Sequence, residues 1–255
     1  MDKPTSIVVG VLLVVAIGFG IYFISNTPNT ESPNTNTTET NTPDTASSGR
    51  VVFSVTDVAT TMSTISEVNL KINSVEMHSA TKGWINISNT ARTYSLLMLN
   101  TKKESDLLVD TSVQAGSYDQ IRLTLDSVAV QTTAGKTVVA TLPSKQLVIS
   151  TVLTVSPNLT SSVNLDFLAS KSLHTTTTGG YIFAPVVKTE IKSNANVTVG
   201  TGNVVTITGG TIDDTSTVGM DTNGQVKLNF SIDPTIKLNV IGNSVTDVTN
   251  PLLLK

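Results

Sequence analysis

The sequence predicts an all-β ectodomain, an antiparallel β-sandwich of immunoglobulin-like or transthyretin-like type, carried behind a single N-terminal transmembrane helix. Three observations predict it. From Arg50 onward apolar residues recur with a period of two, as in Val51, Phe53 and Val55, which is the spacing of a half-buried strand. Gly, Asn, Asp and Ser cluster between such runs, the punctuation of a β domain. Ile7 to Ile24 carries no charged residue and, at about 1.5 Å per residue, just crosses a hydrocarbon core of about 30 Å.

Residues 1–24 read as an uncleaved signal anchor. A secretory signal would be cut after small residues such as Gly18 and Gly20, but Ile21, Tyr22, Phe23 and Ile24 continue the apolar run past them. The chain has no cysteine, which excludes lipoprotein acylation, disulfides and thiolate metal sites together. Lys3 precedes the run, and no Lys or Arg occurs from Ser25 to Ser48. The positive-inside rule then gives a single-pass cell-membrane protein with a cytoplasmic N-terminus and an extracellular C-terminal domain.

Residues 25–48 are Asn, Thr, Ser and Pro with only Glu31, Glu39 and Asp44 charged. Such a segment cannot bury enough apolar surface to offset its ordering entropy, so it reads as a disordered linker that reaches about 75 Å when extended. It also carries the net charge of −3, because acids and cations are equal in number from Gly49 onward. No basic stripe marks a nucleic-acid surface.

Residues 49–192 read as the β-sandwich. Val68, Leu70 and Ile72 alternate and then the apolar phase jumps to Val75 and Met77 across Asn73–Ser74; Ile121, Leu123 and Leu125 jump likewise to Val128 and Val130 across Asp126–Ser127. A one-residue slip inside a continuing strand predicts a β-bulge or a change of sheet. Thr133 to Lys136 predicts a hairpin, and further strands are expected at Gln146–Val155, Ser162–Leu168 and Tyr181–Ile191, with Pro185 placing the last at an edge or a bulge. No amphipathic helix stands out beyond the anchor, and Thr60 to Ser66 reads at most as a short turn.

A set of short motifs runs through this stretch in a fixed order. They are Gly49 to Asp57 (GRVVFSVTD), Gly83-Trp84-Ile85, Tyr94 to Leu97, Ala115 to Leu123 (AGSYDQIRL), Leu142-Pro143-Ser144, Leu165-Asp166-Phe167 and Tyr181 to Val187 (YIFAPVV). In this the chain resembles the domain of unknown function 4382 family from about Gly49 to Lys192. The resemblance implies an exported or surface-anchored prokaryotic β-sandwich with no assigned activity. The sequence departs from the family where Asp57 is followed by Val58-Ala59 in place of Ala-Pro.

Residues 193–255 keep the β pattern, with strands expected at Val204–Thr208, Gln225–Ile232 and Thr235–Val240 and a two-residue hairpin turn at Asn223–Gly224. A segment of this size without cysteine is small for an independent fold, so it reads as a C-terminal β extension, or else a small β subdomain. Pro251 to Leu254 ends it as a final strand or edge cover.

The chemistry-bearing inventory is thin. Gly-x-Ser-x-Gly, Walker A, His-Glu-x-x-His and Rossmann fingerprints are absent from the sequence. His78 and His174 are the only histidines and read as surface or strand-end residues. Asp57, Asp126 and Asp166 sit at strand ends or slips, where they either cap turns or converge as paired carboxylates. Asp213-Asp214 and Asp221 to Gly224 offer oxygen donors without the spacing of a calcium loop. Trp84 reads as a core or rim anchor, with a carbohydrate-stacking platform as the other possibility.

No residue is therefore assigned as catalytic, cofactor-binding or metal-ligating, and no cofactor is implied. The expected function is a non-catalytic binding, adhesion or envelope-structural module at the cell surface. Its expected partners are the membrane through residues 7–24 and a surface protein or glycan, with no nucleic acid. The alternative is a membrane-tethered carbohydrate-active enzyme using paired Asp residues.

Overall fold

The period-two runs form strands over nearly their whole length. In the computed structural model, which describes residues 47–58, 62–241 and 244–247, the strands in chain order are β1 (Ser48–Thr56), β2 (Ile65–Ser79), β3 (Gly83–Ser88), β4 (Arg92–Ser95), β5 (Asp106–Gln114), β6 (Gly116–Thr132), β7 (Thr137–Ala140), β8 (Gln146–Val155), β9 (Thr160–Phe167), β10 (Leu173–Thr175), β11 (Tyr181–Phe183), β12 (Val186–Ser193), β13 (Asn196–Val199), β14 (Val205–Thr208), β15 (Thr211–Met220), β16 (Val226–Leu228), β17 (Leu238–Ile241) and β18 (Ser244–Asp247). Two short helices, α1 (Leu96–Lys102) and α2 (Ala169–Ser172), interrupt them. The anchor, the linker before Ser47, and Pro251 to Leu254 lie outside the described residues, as do Ala59 to Thr61 after the first strand. Among the described residues no helix is long and apolar enough to cross a membrane.

The protein is all-β, built on two six-stranded sheets among the described residues. The first has the order β16-β15-β12-β9-β1-β5. The second has β3-β2-β6-β7 as its path, with β4 also on β2 and β8 also on β6. Within these two sheets the described strands pair antiparallel except β1 and β9, which run parallel with Thr56 beside Asp166. The expectation of a wholly antiparallel sandwich is corrected there: β1 and β9 enter the sheet at the same end, as the Arg50–Thr160 pairing requires.

The two phase slips fall at one place. Between β2 and β6, Lys71 faces Ser127, Ile72 faces Leu125 and Ser74 faces Thr124, so Asn73 and Asp126 are the extra residues of two bulges set nearly opposite each other. Both long strands bend there together. On one side of the bend β2 and β6 are flanked by β4 and β7, on the other by β3 and β8. Asp126 pairs with Lys71 at 2.9 Å across the bend.

Alternation then assembles the core. Val51, Phe53, Val55, Val163, Leu165 and Phe167 of the first sheet meet Leu70, Met77, Ile121, Leu123, Leu147 and Ile149 of the second, all fully buried. Each large aliphatic or aromatic side chain so buried contributes about 1.5–3 kcal/mol of transfer free energy. The outer face of the first sheet is covered in part by the β13–β14 hairpin, which packs Val197 and Val205 on Val52 and Leu107. Arg50 fixes that hairpin, donating Nη1–H to the Val197 carbonyl at 3.0 Å while its fork grips Asp110 at 2.8 Å. A third cluster joins Ile182 and Ala184 to Ile232, Leu238 and Val245. All described residues belong to one unit, Asp44–Lys255, and β15 and β16 continue the first sheet from β12.

Three expectations are corrected in detail. Helix α1 forms where none was expected: Leu96 and Leu99, three apart, bury on one side, and Lys103 in the left-handed region (φ 55°) ends it. Seven residues are too few to display a 3.6-residue period. The run Tyr181–Ile191 is two strands, because Ala184-Pro185 breaks it; β11 pairs with β10, while β12 lies between β9 and β15 in the sheet interior and not at an edge. The Pro185 carbonyl accepts from Met220 N–H at 3.0 Å, so the residue that cannot donate serves as an acceptor outside either strand. The β15–β16 hairpin at Asn223–Gly224 has a longer loop than two residues: Asp221 Oδ1 accepts from the N–H of Asn223 and of Gln225, both at 2.9 Å.

Candidate functional site

The outward face of the second sheet carries the most organised polar cluster. In the half flanked by β3 and β8, Val75, Met77, Ile121 and Leu123 point inward, so alternation points Glu76, His78 and Arg122 outward. Register then sets neighbours: Trp84 of β3 lies beside His78, and His78 beside Gln120 of β6. One row along, Glu76 is flanked by Asn86 and Arg122. A register shift between Tyr118 and Gln120 turns Asp119 outward as well.

These side chains interlock. Arg122 donates Nε–H and Nη2–H to the two oxygens of Glu76 at 2.6 and 2.8 Å, a bidentate pair. Its guanidinium carbon lies 4.0 Å from the centroid of the Trp84 ring, within cation–π range. The His78 ring sits 5.1 Å from the same ring, tilted by 58°, and its Nδ1 is 2.6 Å from Asp119 Oδ1. The hydrogen bond from Arg122 holds the Glu76 carboxyl below its usual range, so Glu76 stays charged and the guanidinium stays oriented. The chain's only tryptophan is thus on the outer face, half-buried beside Arg122 and His78, each of which is anchored by a carboxylate.

A cleft of about 410 Å³ opens at the end of this row, between the β2–β3 turn and the β5–β6 corner. Ser79, Thr81, Lys82, Gln114, Ser117 and Asp119 line it with polar groups. The hydroxyls of Ser79 and Thr81 are 3.2 Å apart. Ala115, also in the lining, donates its N–H to the carbonyl of Ser47 at 2.8 Å, so the cleft adjoins the point where the chain enters the sandwich.

The three predicted aspartates do not gather. Asp57 and Asp166 stand at the ends of adjacent strands and are nearly inaccessible, at 1% and 8% exposure. Asp57 Oδ1 accepts from Ala169 N–H at 3.3 Å and Asp166 Oδ1 from Val58 N–H at 2.8 Å. Burial pushes the Asp166 carboxyl up, against the pull of the Val58 amide and Lys188. Asp126 belongs to the bulge of the other sheet.

The other candidates separate too. Asp213 and Asp214 are consecutive in β15, where its register against β12 slips by one residue, and each is engaged separately: Asp213 accepts from Ser193 at 2.9 Å and Asp214 from Thr151 at 2.7 Å. Asp221 shapes its loop and pairs with Lys227 at 2.6 Å. Among the described residues no cluster of three or more His, Cys, Asp or Glu side chains has metal-binding geometry. His174 is not at the surface as expected but 1% exposed in β10, because its neighbours Ile182 and Leu173 carry it under the third apolar cluster.

Sequence reasoning singled out Trp84 and His78 but not Glu76, Arg122, Asp119 or Lys82. Asp119 and Arg122 lie inside the Ala115 to Leu123 motif, but nothing local marks them, Glu76 or Lys82 as a group. Which of them meet depends on strand register, which no local pattern states.

A family model described as "Domain of unknown function (DUF4382)" matches residues 48–185, more than half of the chain. No curated protein and no solved structure matches.

Proposed function

The chain belongs to the DUF4382 family, and from that premise we propose a non-catalytic binding module of the cell surface whose recognition face is the outer surface of the second sheet around Trp84. In this reading residues 7–24 anchor the protein once in the cell membrane with the N-terminus in the cytoplasm, and residues 25–48 tether an immunoglobulin-like or transthyretin-like sandwich (49–192) with its C-terminal β extension (193–255) outside. The observation that carries the proposal is the single tryptophan on a solvent-facing sheet, oriented by Arg122–Glu76 and His78–Asp119 rather than buried in the core. Large, rigid aromatic and Arg side chains dominate recognition surfaces because they offer contact area at low entropy cost. The chain entry at Ser47 adjoins Ala115 at one end of the same face, which supports the envelope as the partner.

The test is binding of the detergent-solubilised full chain to envelope prepared from its own cells. Trp84→Ala is expected to weaken binding at least about tenfold, since loss of a recognition hot spot costs about 2 kcal/mol or more. Unchanged binding by a folded Trp84→Ala protein defeats the proposal. The second reading, a membrane-tethered carbohydrate-active enzyme, rests on the neighbouring Asp57 and Asp166 with the raised Asp166 carboxyl. It requires a glycan-cleaving activity that Asp166→Asn abolishes without unfolding.

A further inference from the structure

We infer that the cleft between the β2–β3 turn and the β5–β6 corner binds a neutral saccharide through its hydroxyl groups, an inference that rests on the binding-module reading and names its ligand class. The volume of about 410 Å³ is within the range of about 300–1,000 Å³ typical of small-molecule sites. The lining decides the chemistry. Apolar ligands need mostly apolar walls, and here the apolar side chains are Ala80, Ala115 and Tyr118, the last with its hydroxyl committed to the Gln114 carbonyl at 2.7 Å. Lys82 is the one cation in the lining, and the Asp119 carboxylate faces the same space, so a multiply charged anion is disfavoured. A single carboxylate makes no cation site.

What remains is a set of groups that both donate and accept. Ser79, Thr81 and Ser117 supply hydroxyls, Gln114 supplies an amide, and Lys82 donates. Asp119 has two oxygens; one meets His78 Nδ1, and with the side chain 51% exposed the other is open to ligand hydroxyls. A ring bearing several hydroxyls matches that mixture, each hydroxyl being both donor and acceptor.

The experiment uses the full chain in a detergent without a sugar headgroup, with methyl β-glucopyranoside, methyl α-mannopyranoside and N-acetylglucosamine as probes. Sugar binding is read by saturation-transfer NMR and displacement of bound envelope in the same samples. At least one probe is expected to bind. Asp119→Asn should weaken it about tenfold or more and Thr81→Val about threefold or more, as loss of a charged and a neutral hydrogen bond implies, with melting temperatures near wild type. Displacement of the envelope by the sugar assigns the ligand to an envelope glycan, and binding without displacement assigns it to a free saccharide. No sugar binding, or binding indifferent to both substitutions, overturns the inference even where Trp84-dependent envelope binding persists. Sugar binding in the absence of any envelope binding upholds the cleft and overturns the module reading instead.

Discussion

His174 shows how one side chain ties stability to pH. It is 1% exposed, and neither ring nitrogen has a hydrogen-bond partner in good geometry among the described residues. Burial pulls its pKa below the ordinary value, and the Lys171 carbonyl and Asp233 carboxylate offset this only in part. The folded state therefore keeps the ring neutral while the unfolded chain takes up a proton below about pH 6.5. Because the unfolded state then binds more protons, stability falls as pH drops below about 6.5 and is unaffected by this group above it. His174→Leu removes two unsatisfied buried atoms and is expected to be neutral or stabilising by about 1 kcal/mol at pH 7. It should also flatten the acid side of the curve, as urea titrations of both proteins from pH 5 to 8 will measure. Persistence of the full acid slope in His174→Leu refutes the assignment.

At the scale of elements, the paired bulges of β2 and β6 decide which way half of each strand faces. Asn73 and Asp126 each add one residue, and if either joined the regular pleat the residues on one side of the bend would turn over. Deleting Asn73 removes the extra residue and brings Val68, Leu70 and Ile72 into plain alternation with Val75 and Met77, so both sets still face the core. No core side chain worth about 1.5–3 kcal/mol is turned outward by that change, so its cost is confined to the bend and is small against a typical total stability of about 5–15 kcal/mol. The deletion variant is expected to keep a cooperative thermal transition, which a melting scan by circular dichroism checks; loss of that transition contradicts the account. Glu76 and His78 keep their outward side as well, so what the extra residue sets is the bend of the strand beneath the recognition face. Both slips were legible in the sequence. That they face each other was not, because pairing partners far apart in the chain are chosen by the sheet.

At the scale of the whole molecule, the first sheet draws on both ends of the described chain. β1 pairs with β9, β9 with β12, and β12 with β15 from beyond the family match. Ending the chain at Ser193 would strip β15 and β16 from β12, uncover Val187 and Ile191 near their edge and remove the β13–β14 cover from Val52. A long apolar sheet edge left open templates association. The truncated protein is expected to aggregate or unfold at least about 10 °C below the full chain, by a loss of a few kcal/mol. Light scattering with a melting scan checks this, and a monomeric truncation of undiminished melting temperature counts against it.

The sequence by itself determined that the domain is all-β, where most strands of residues 49–192 lie, that two strands carry a one-residue slip of apolar phase and that the chain has the order of motifs of its family. Those features are local: side-chain alternation, turn residues and the lack of cysteine need no partner to be read. Only the tertiary structure decided that β1 and β9 run parallel, that Tyr181–Ile191 divides at Pro185, that His174 is buried, and that Asp57, Asp126 and Asp166 do not form one site. It alone brought Arg122, Glu76, His78 and Asp119 around Trp84. The reason is the same in each case: contacts between distant strands are fixed by register and by the closure of two sheets on one core, and those are properties of the assembled chain rather than of any segment.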